Sequence, residues 1–198
     1  GMISRLQAGA AGLPFMPMNQ TAATSLEQVN HNIRRMTDPF TNKEVIVVPP
    51  LNPDVAIIHV QRADQYGNAQ IWGILGEQKE AAFAAQHVII TAEEIVDEKV
   101  IRSDPNRTMI PSIIVDAVCL EPFSAHPSYT QGYYDRDNPF YLKWDQISET
   151  REEVKQWLHE WVYDLKDRQQ YWQKLGEEAH QRLHVKPAFS SPINYGEY

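Results

Sequence analysis

Residues 53–73, PDVAIIHVQRADQYGNAQIWG, dictate more of the fold than any other stretch of this chain. Val55 to Gln61 is a compact β-branched and apolar run, Arg62 to Asn68 is polar and contains a Gly-Asn pair, and Ala69 to Trp72 is apolar again. This pattern predicts two buried strands joined by an exposed turn. Because buried strands hold such a short polar turn still, its side chains are well placed to meet a ligand.

The size and charge of the chain narrow the class of protein. At 198 residues, 42% of them hydrophobic, the chain can bury a core of its own and is expected to form one main domain with an appended helix. Its 18 Lys and Arg against 26 Asp and Glu give a formal charge of −8, which argues against a nucleic-acid partner because phosphate contacts need a local excess of cations. No stretch approaches the ~20 apolar residues that span a bilayer, so we expect no membrane contact and a cytoplasmic location.

Cys119 is the single cysteine of the sequence. It cannot form an intrachain disulfide, which fits a reducing compartment. Its neighbours, IIVDAVCL, are mostly apolar. They predict an inert core cysteine rather than a nucleophile.

Helical and strand-like patterns alternate before residue 123, which predicts an α/β fold with an open sheet of mostly parallel strands flanked by helices. The predicted elements are a helix over 3–10, a strand over 44–48, a helix over 76–86 and strands over 87–90 and 110–122. The last of these strands is apolar except for Asp116, so we expect helices to cover both of its faces. Asp116 should then have a structural partner, since an unpaired buried carboxylate is costly.

A dense acidic group follows residue 90 and comprises Glu93, Glu94, Asp97 and Glu98. Clustered carboxylates can bind a metal or act as general acids. On a surface segment a solvated face is the better interpretation.

The loop after the last strand, residues 123–141, has the sequence FSAHPSYTQGYYDRDNPFY. Ligands in open α/β sheets bind beyond the carboxyl ends of strands, so position makes this loop the best candidate site. Its His126 can titrate, and its Ser124 and Ser128 can donate hydrogen bonds. A surface loop packed by its own tyrosines explains the composition equally well, and the residues alone leave both possibilities open.

A helix with its own start signal follows the loop. Thr150 and Glu153 form a capping box, and the apolar side chains after it repeat at helical spacing as Val154, Trp157, Leu158, Trp161, Val162 and Leu165. This stripe can dock on the chain's own sheet or on another subunit, and both remain open. The chain therefore divides into an α/β domain, residues 1–147, and a C-terminal segment, residues 148–198, with a long helix and an extended tail from Val185.

Metal-binding and common catalytic motifs do not occur. His180 and His184 have a spacing that can bind zinc, but no third ligand is evident, so no metal site is predicted. The sequence contains no G-x-G-x-x-G, Walker loop, H-E-x-x-H, C-x-x-C or G-x-S-x-G.

Several motifs nevertheless resemble one family. They are A-D-x-x-G-N at Ala63, Asp64, Gly67 and Asn68, P-F-x-A-H-P-S at 122–128, GAAGLPFMP at 9–17, and W-L-x-E-W-V at 157–162 with K-D-R at 166–168. Together they span nearly the whole chain, which resembles the A (alpha) subunit of the family I CoA-transferases, especially the glutaconate type.

The resemblance implies a particular chemistry. Such enzymes move CoA from a donor thioester to an acceptor carboxylate in a ping-pong reaction, through a glutamate that lies on a partner B (beta) subunit. No catalytic residue is therefore expected in this chain, no cofactor is bound, and the coenzyme A thioester is a substrate. There are two alternatives. The chain is a CoA-thioester hydrolase subunit of the same fold, or it is a truncated, non-catalytic binding partner of a B-type chain.

The resemblance also assigns candidate site residues. Ser124, His126 and Ser128 are expected near the acyl pocket, with Arg136 available to pair with the distal carboxylate of a dicarboxylate. Asp64, Gly67 and Asn68 are expected to shape a turn beside the subunit interface. The family begins with a strand and a glycine-rich turn that this sequence lacks, so a fragment, or else a truncated gene product, is expected.

Overall fold

The computed structural model describes residues 1–18 and 26–185, in two compact units. The first unit ends at Pro122 and the second begins at Phe123. The change of unit thus comes directly after the last strand, and the division into residues 1–147 and 148–198 stays a prediction. Apart from Val185, the predicted extended tail lies outside the described residues.

The first unit contains the helices and strands of an open α/β architecture. In chain order they are α1 (Met2–Ala10), β1 (Met16–Met18), α2 (Leu26–Val29), β2 (Arg34–Thr37), β3 (Glu44–Val48), β4 (Val55–Ala63), β5 (Ala69–Gln70), α3 (Gln78–Ala84), β6 (His87–Ile95), α4 (Glu98–Ser103), β7 (Thr108–Ile110) and β8 (Ala117–Leu120). The predicted helices and strands before residue 91 are all present.

The larger sheet is mixed and has the strand order β7-β5-β4-β6-β8. Its longest pairing joins β4 and β6 in parallel, from Val55 opposite His87 to Ala63 opposite Ile95, and β8 is parallel to β6. The pairs β4–β5 and β5–β7 are antiparallel. The strands β1, β3 and β2 form a separate antiparallel sheet in that order. The predicted open α/β sheet is therefore confirmed, with an antiparallel side added.

The core lies on one face of the central strands. Val60, Val88 and Ile90 are at most 1% exposed, and Ala82 of α3 belongs to the same cluster. The opposite face of β4 is open near its start, where Ile57 is 68% exposed. Because successive side chains of a strand point to opposite faces, buried and exposed positions alternate at the start of β4.

The predicted strand over 110–122 is wrong in extent and in burial. The segment is split into the end of β7, a 3-10 turn at Ser112–Ile114, and β8. Because β8 is an edge strand with its side chains largely uncovered, Cys119 is exposed rather than part of the core. Asp116 is exposed too, although it has the expected structural partner, since its carboxylate accepts a 2.7 Å hydrogen bond from the Val88 N–H.

The solvated face predicted for the acidic group is wrong at Glu93. The strand β6 continues to Ile95 instead of ending at residue 90, and this places Glu93 inside the sheet at 8% exposure. Its Oε1 lies 2.6 Å from Nε2 of His59, and Nδ1 of His59 lies 3.0 Å from Oγ1 of Thr91. A buried carboxylate is thus satisfied by a cross-strand histidine.

The second unit is helical after its opening loop. It contains α5 (Asn138–Ile147), α6 (Arg151–Leu158) with a π-helical continuation at His159–Tyr163, α7 (Arg168–Leu175) and α8 (Glu177–Leu183). The capping box of Thr150 and Glu153 is confirmed. The Trp157 ring packs edge-on against Trp144 of α5, with 5.0 Å between centroids, so its place in the apolar stripe is covered within this unit. Of the helices in the described residues, none combines the length and apolar character needed to cross a membrane.

Candidate functional site

The turn between β4 and β5 is organised by the carboxylate of Asp64. This side chain is completely buried. Its Oδ1 accepts from the N–H groups of Tyr66 and Asn68 at 2.9 and 3.0 Å, and its Oδ2 accepts from the Asn68 side-chain amide at 2.8 Å. Such a set of bonds within one turn holds the backbone in a single conformation.

Gly67 and Asn68 connect this turn to the segment before β8. Gly67 has φ +100°, and a Cβ placed there would lie 2.8 Å from Cγ1 of Val115. Asn68 Oδ1 accepts a 3.1 Å hydrogen bond from the Ser112 N–H. Asp64, Gly67 and Asn68 therefore build the turn, while Tyr66 at its tip is 59% exposed.

His126 lies at the centre of an aromatic cluster in the second unit. Its side chain is fully buried. The ring stacks on Phe123 at 5.3 Å between centroids and meets Phe140 edge-on at 5.2 Å. The loop that contains it is shaped by a cis peptide bond between His126 and Pro127 and by a positive φ at Phe123.

A series of hydrogen bonds runs through this histidine. Nε2 of His126 lies 3.1 Å from Oδ2 of Asp137, and Nδ1 lies 2.6 Å from the hydroxyl of Tyr171. Arg182 donates to both oxygens of Asp137 at 3.0 and 3.1 Å. An ionised carboxylate only accepts, so His126 Nε2 carries the proton. Nδ1 of the neutral ring must then accept a hydrogen bond from the Tyr171 hydroxyl.

The electrostatics of this network agree with that assignment. Burial lowers the pKa of His126, and although Asp137 opposes this effect, the shift stays downward. Burial also works to raise the pKa of Asp137, but the hydrogen bonds from Arg182, His126 and the Phe140 N–H outweigh it and hold that pKa below its usual range. Burial raises the pKa of Tyr171. Near neutral pH the network therefore holds one carboxylate anion, a neutral imidazole and a neutral phenol.

A cavity of about 360 Å³ adjoins the network. His126 and Pro127 contribute to its wall from the loop, and Arg168 contributes from α7. Most of the remaining wall is aromatic and comes from Phe140, Tyr141, Trp144, Trp157, Trp161 and Tyr171. A concave, mostly apolar space with a few polar groups is the usual form of a small-molecule site.

The structure separates the other predicted site residues from this cavity. Ser124 and Ser128 are half-buried in the loop, and within the described part of the chain neither lines the cavity. Arg136 is exposed, with its guanidinium 4.2 Å from the centroid of the Tyr141 ring.

Sequence reasoning missed four residues of this region: Asp137, Arg168, Tyr171 and Arg182. Tyr171 and Arg182 each lie 45 positions from the residue they contact, which no local pattern can reveal. Arg168 belongs to the K-D-R segment, whose resemblance to a family motif carries no role for it. Among residues 1–18 and 26–185, no group of three or more His, Cys, Asp or Glu side chains is arranged to hold a metal.

Comparison with known proteins adds to this geometry. Residues 1–121 match the family model described as coenzyme A transferase. The chain is 45% identical over 170 residues to the A-type subunit of 3-oxoadipate CoA-transferase from Pseudomonas knackmussii, covering 86% of this chain and 60% of that protein. It is 38% identical over 203 residues to the A-type subunit of glutaconate CoA-transferase from Acidaminococcus fermentans, covering 94% of this chain and 63% of that protein.

The match to a solved structure extends over residues of both units. The crystal structure of glutaconate coenzyme A-transferase from Acidaminococcus fermentans superposes with a TM-score of 0.84 at 36% identity, over 97% of this chain and 66% of that one. The chain therefore spans less than two thirds of the length of these relatives.

Proposed function

This chain belongs to the coenzyme A transferase family, and from that premise we propose that it is the A-type component of an enzyme that moves CoA from an acyl thioester to a free carboxylate. The observation that carries the proposal is the 45% identity, over 86% of this chain, to a protein named as the A-type subunit of a CoA-transferase. The names of the glutaconate and 3-oxoadipate relatives support a dicarboxylate or oxo-acid substrate. We assign the activity to the cytoplasm, since a lone cysteine fits a reducing compartment.

In this proposal the nucleophile is a glutamate of a B-type partner. Its carboxylate attacks the thioester carbonyl, which forms an acyl-glutamyl anhydride and releases the CoA thiolate. The thiolate then attacks the glutamyl carbonyl, giving a glutamyl-CoA thioester and the free product acid. The acceptor acid takes CoA by the reverse steps. Because a carboxylate is a weak nucleophile, binding energy from the nucleotide part of CoA must stabilise the transition state.

The residues of this chain are proposed to support that chemistry. The Asp64–Asn68 turn is rigid and presents Tyr66 outward, which suits a contact beside the subunit interface. Ser124, His126 and Ser128 are proposed to lie near the acyl group. Arg136 is exposed, its guanidinium lies over the Tyr141 ring, and no ion pair of it occurs within the described ranges, so it is proposed to meet a distal carboxylate.

The test is co-expression of the chain with the B-type subunit of its source organism, followed by purification and mass measurement of the complex. The complex is then given an acyl-CoA with and without a carboxylate acceptor. A new CoA thioester that forms only with acceptor supports a transferase. Free CoA released without acceptor indicates a hydrolase, and a complex without turnover indicates a non-catalytic partner. Failure of the two chains to associate would refute the proposed pairing.

The role of Arg136 has its own test in the active complex. Arg136→Ala should raise the KM for a dicarboxylate acceptor at least tenfold more than the KM for a monocarboxylate, because only the former has a distal charge. Arg151→Ala, which removes another exposed arginine of the same unit, serves as the control. Equal effects of Arg136→Ala on both acceptors would contradict the assignment.

A further inference from the structure

We propose that the aromatic cavity of the second unit is a binding site for a small, planar organic acid with one carboxylate, held by Arg168. The site goes beyond the transferase assignment because binding of a free acid to it needs no partner chain. Failure of this proposal would leave the transferase proposal standing, and the converse is also true.

The walls of the cavity select for a flat apolar group. Six aromatic rings line a volume of about 360 Å³, near the lower end of the range for small-molecule pockets. The rings of Trp157 and Trp161 stand edge-on to Phe140 at 6.3 and 5.7 Å between centroids. Such an arrangement offers ring faces and edges on which another planar group can stack.

Arg168 supplies the charge. Its guanidinium lies 4.3 Å from the Tyr171 ring centroid and donates a hydrogen bond to the Phe123 carbonyl. No carboxylate pairs with it in the two described ranges, unlike Arg182, which is neutralised by Asp137. A half-buried guanidinium without a counter-ion gains a charge-assisted bond when an anion enters.

Two buried N–H groups on the cavity residues also have no acceptor in the described part of the chain: Nε of Arg168 and Nε1 of Trp157. The Tyr171 hydroxyl, in contrast, already donates to His126. Both nitrogen atoms have almost no accessible surface, so a ligand in the cavity does not reach them, and the charge of Arg168 is the feature that selects an anion.

The other charges near the cavity limit the ligand to one carboxylate. Lys174 lies 4.9 Å from the Trp161 ring centroid, but its Nζ pairs with Glu160 at 3.0 Å. Arg136 stacks on Tyr141 but does not line the cavity, so among the described residues that do line it, Arg168 is the one that carries a fixed positive charge. A second carboxylate would face aromatic walls, and a cationic ligand would be repelled by Arg168 in spite of those walls.

The experiment is isothermal titration calorimetry of the 198-residue chain with benzoate, benzamide and cyclohexanecarboxylate. Benzoate should bind with one-to-one stoichiometry and a Kd of about 1 mM or lower, as expected for a ligand of this size. Benzamide tests the need for charge, and cyclohexanecarboxylate tests the need for planarity. Each should bind at least tenfold more weakly than benzoate.

Matched variants assign the charge to Arg168. Arg168→Gln should weaken benzoate binding at least tenfold, Arg168→Lys should retain part of the affinity, and the exposed Arg151→Gln should leave it unchanged. If Arg168→Gln fails to fold, the benzoate and benzamide comparison on the unaltered chain still decides the point. Equal binding of these two probes, or no saturable binding of any carboxylate, would overturn the proposal.

Discussion

Replacing Asp137 by Asn tests the hydrogen-bond network around His126. Asp137 is the N-cap residue of α5, where its carboxylate accepts a hydrogen bond from the Phe140 N–H; the same carboxylate also accepts two hydrogen bonds from Arg182 and one from His126. Asparagine caps a helix as well as aspartate does, so the bond to Phe140 should survive. The variant therefore removes the charge and the acceptor for His126 with little disturbance of the helix start.

The size of the effect follows from the exposure of each partner. A hydrogen bond to a charged group contributes about 1.5–3 kcal/mol, and an unsatisfied buried donor costs a similar amount. The Arg182 side chain is 42% exposed, so water offsets much of its loss, whereas the His126 side chain is fully buried. We expect Asp137→Asn to lower the free energy of unfolding by about 3 kcal/mol.

The assay is urea unfolding followed by tryptophan fluorescence, since Trp144, Trp157, Trp161 and Trp172 all lie in the second unit. Asp167→Asn is the matched control because Asp167 caps α7 in the same way but is exposed, and it should change stability by only a few tenths of a kcal/mol.

The pH dependence gives a second readout. The pKa of Asp137 is lower in the folded chain, so its contribution is present above about pH 4 and is lost as the pH falls through the folded-state value. The difference in the free energy of unfolding between wild type and Asp137→Asn should therefore shrink as the pH falls below about 4. Equal unfolding midpoints for Asp137→Asn and Asp167→Asn at neutral pH would refute the reasoning.

Three further measurements test other parts of the structure. Gly67→Ala should cost about 3 kcal/mol, because a Cβ there combines a positive φ with contact on Val115, whereas Gly12→Ala, with positive φ but open space, should cost about 1 kcal/mol; similar losses in urea unfolding would contradict this. Because burial lowers the pKa of His126, its neutral form stabilises the fold above about pH 6.5 and this stability is lost as the pH falls, so His126→Gln should flatten the dependence between pH 7.5 and 5.5, and an unchanged slope would count against it. The exposed Cys119 should react with a thiol reagent in the native chain without prior unfolding, and protection until unfolding would show that it is covered.

The hairpin of β4 and β5 could be predicted because its signals are local. The β-branched run and the Gly-Asn pair specify strand and turn within a few residues. The structure adds what composition cannot show, namely that Asp64 faces inward and holds the turn. Gly67 and Asn68 build the turn together with Asp64, and Tyr66 is the side chain that the turn exposes.

Burial could not be predicted where it depends on sheet order. Cys119 lies in a sequence as apolar as a central strand, but β8 has a neighbour on only one side in the larger sheet. Glu93 is the opposite case: it is polar but buried, because the parallel register with β4 brings His59 beside it. Both depend on pairing between distant segments, which a single sequence does not encode in its local pattern.

The candidate site shows the same limit. The polar loop around His126 can be identified from its position after a strand, and the structure does bring His126 to a cavity wall. Its partners Tyr171 and Arg182 come from helices far along the chain. Ser124, Ser128 and Arg136 share the loop composition but not the cavity, because neighbouring positions in a loop point in different directions.

The distances along the chain between paired segments lead us to expect an order of folding. β5 pairs with β4 across a short turn, whereas β6 reaches β4 only after a long loop has closed, and the His126 network needs a longer one still. The turn is therefore expected to be native in the transition state and the network to form after it. Gly67→Ala should mainly slow refolding and Asp137→Asn should mainly speed unfolding, so that stopped-flow kinetics would reveal the hairpin as the nucleus and the aromatic unit as its late addition.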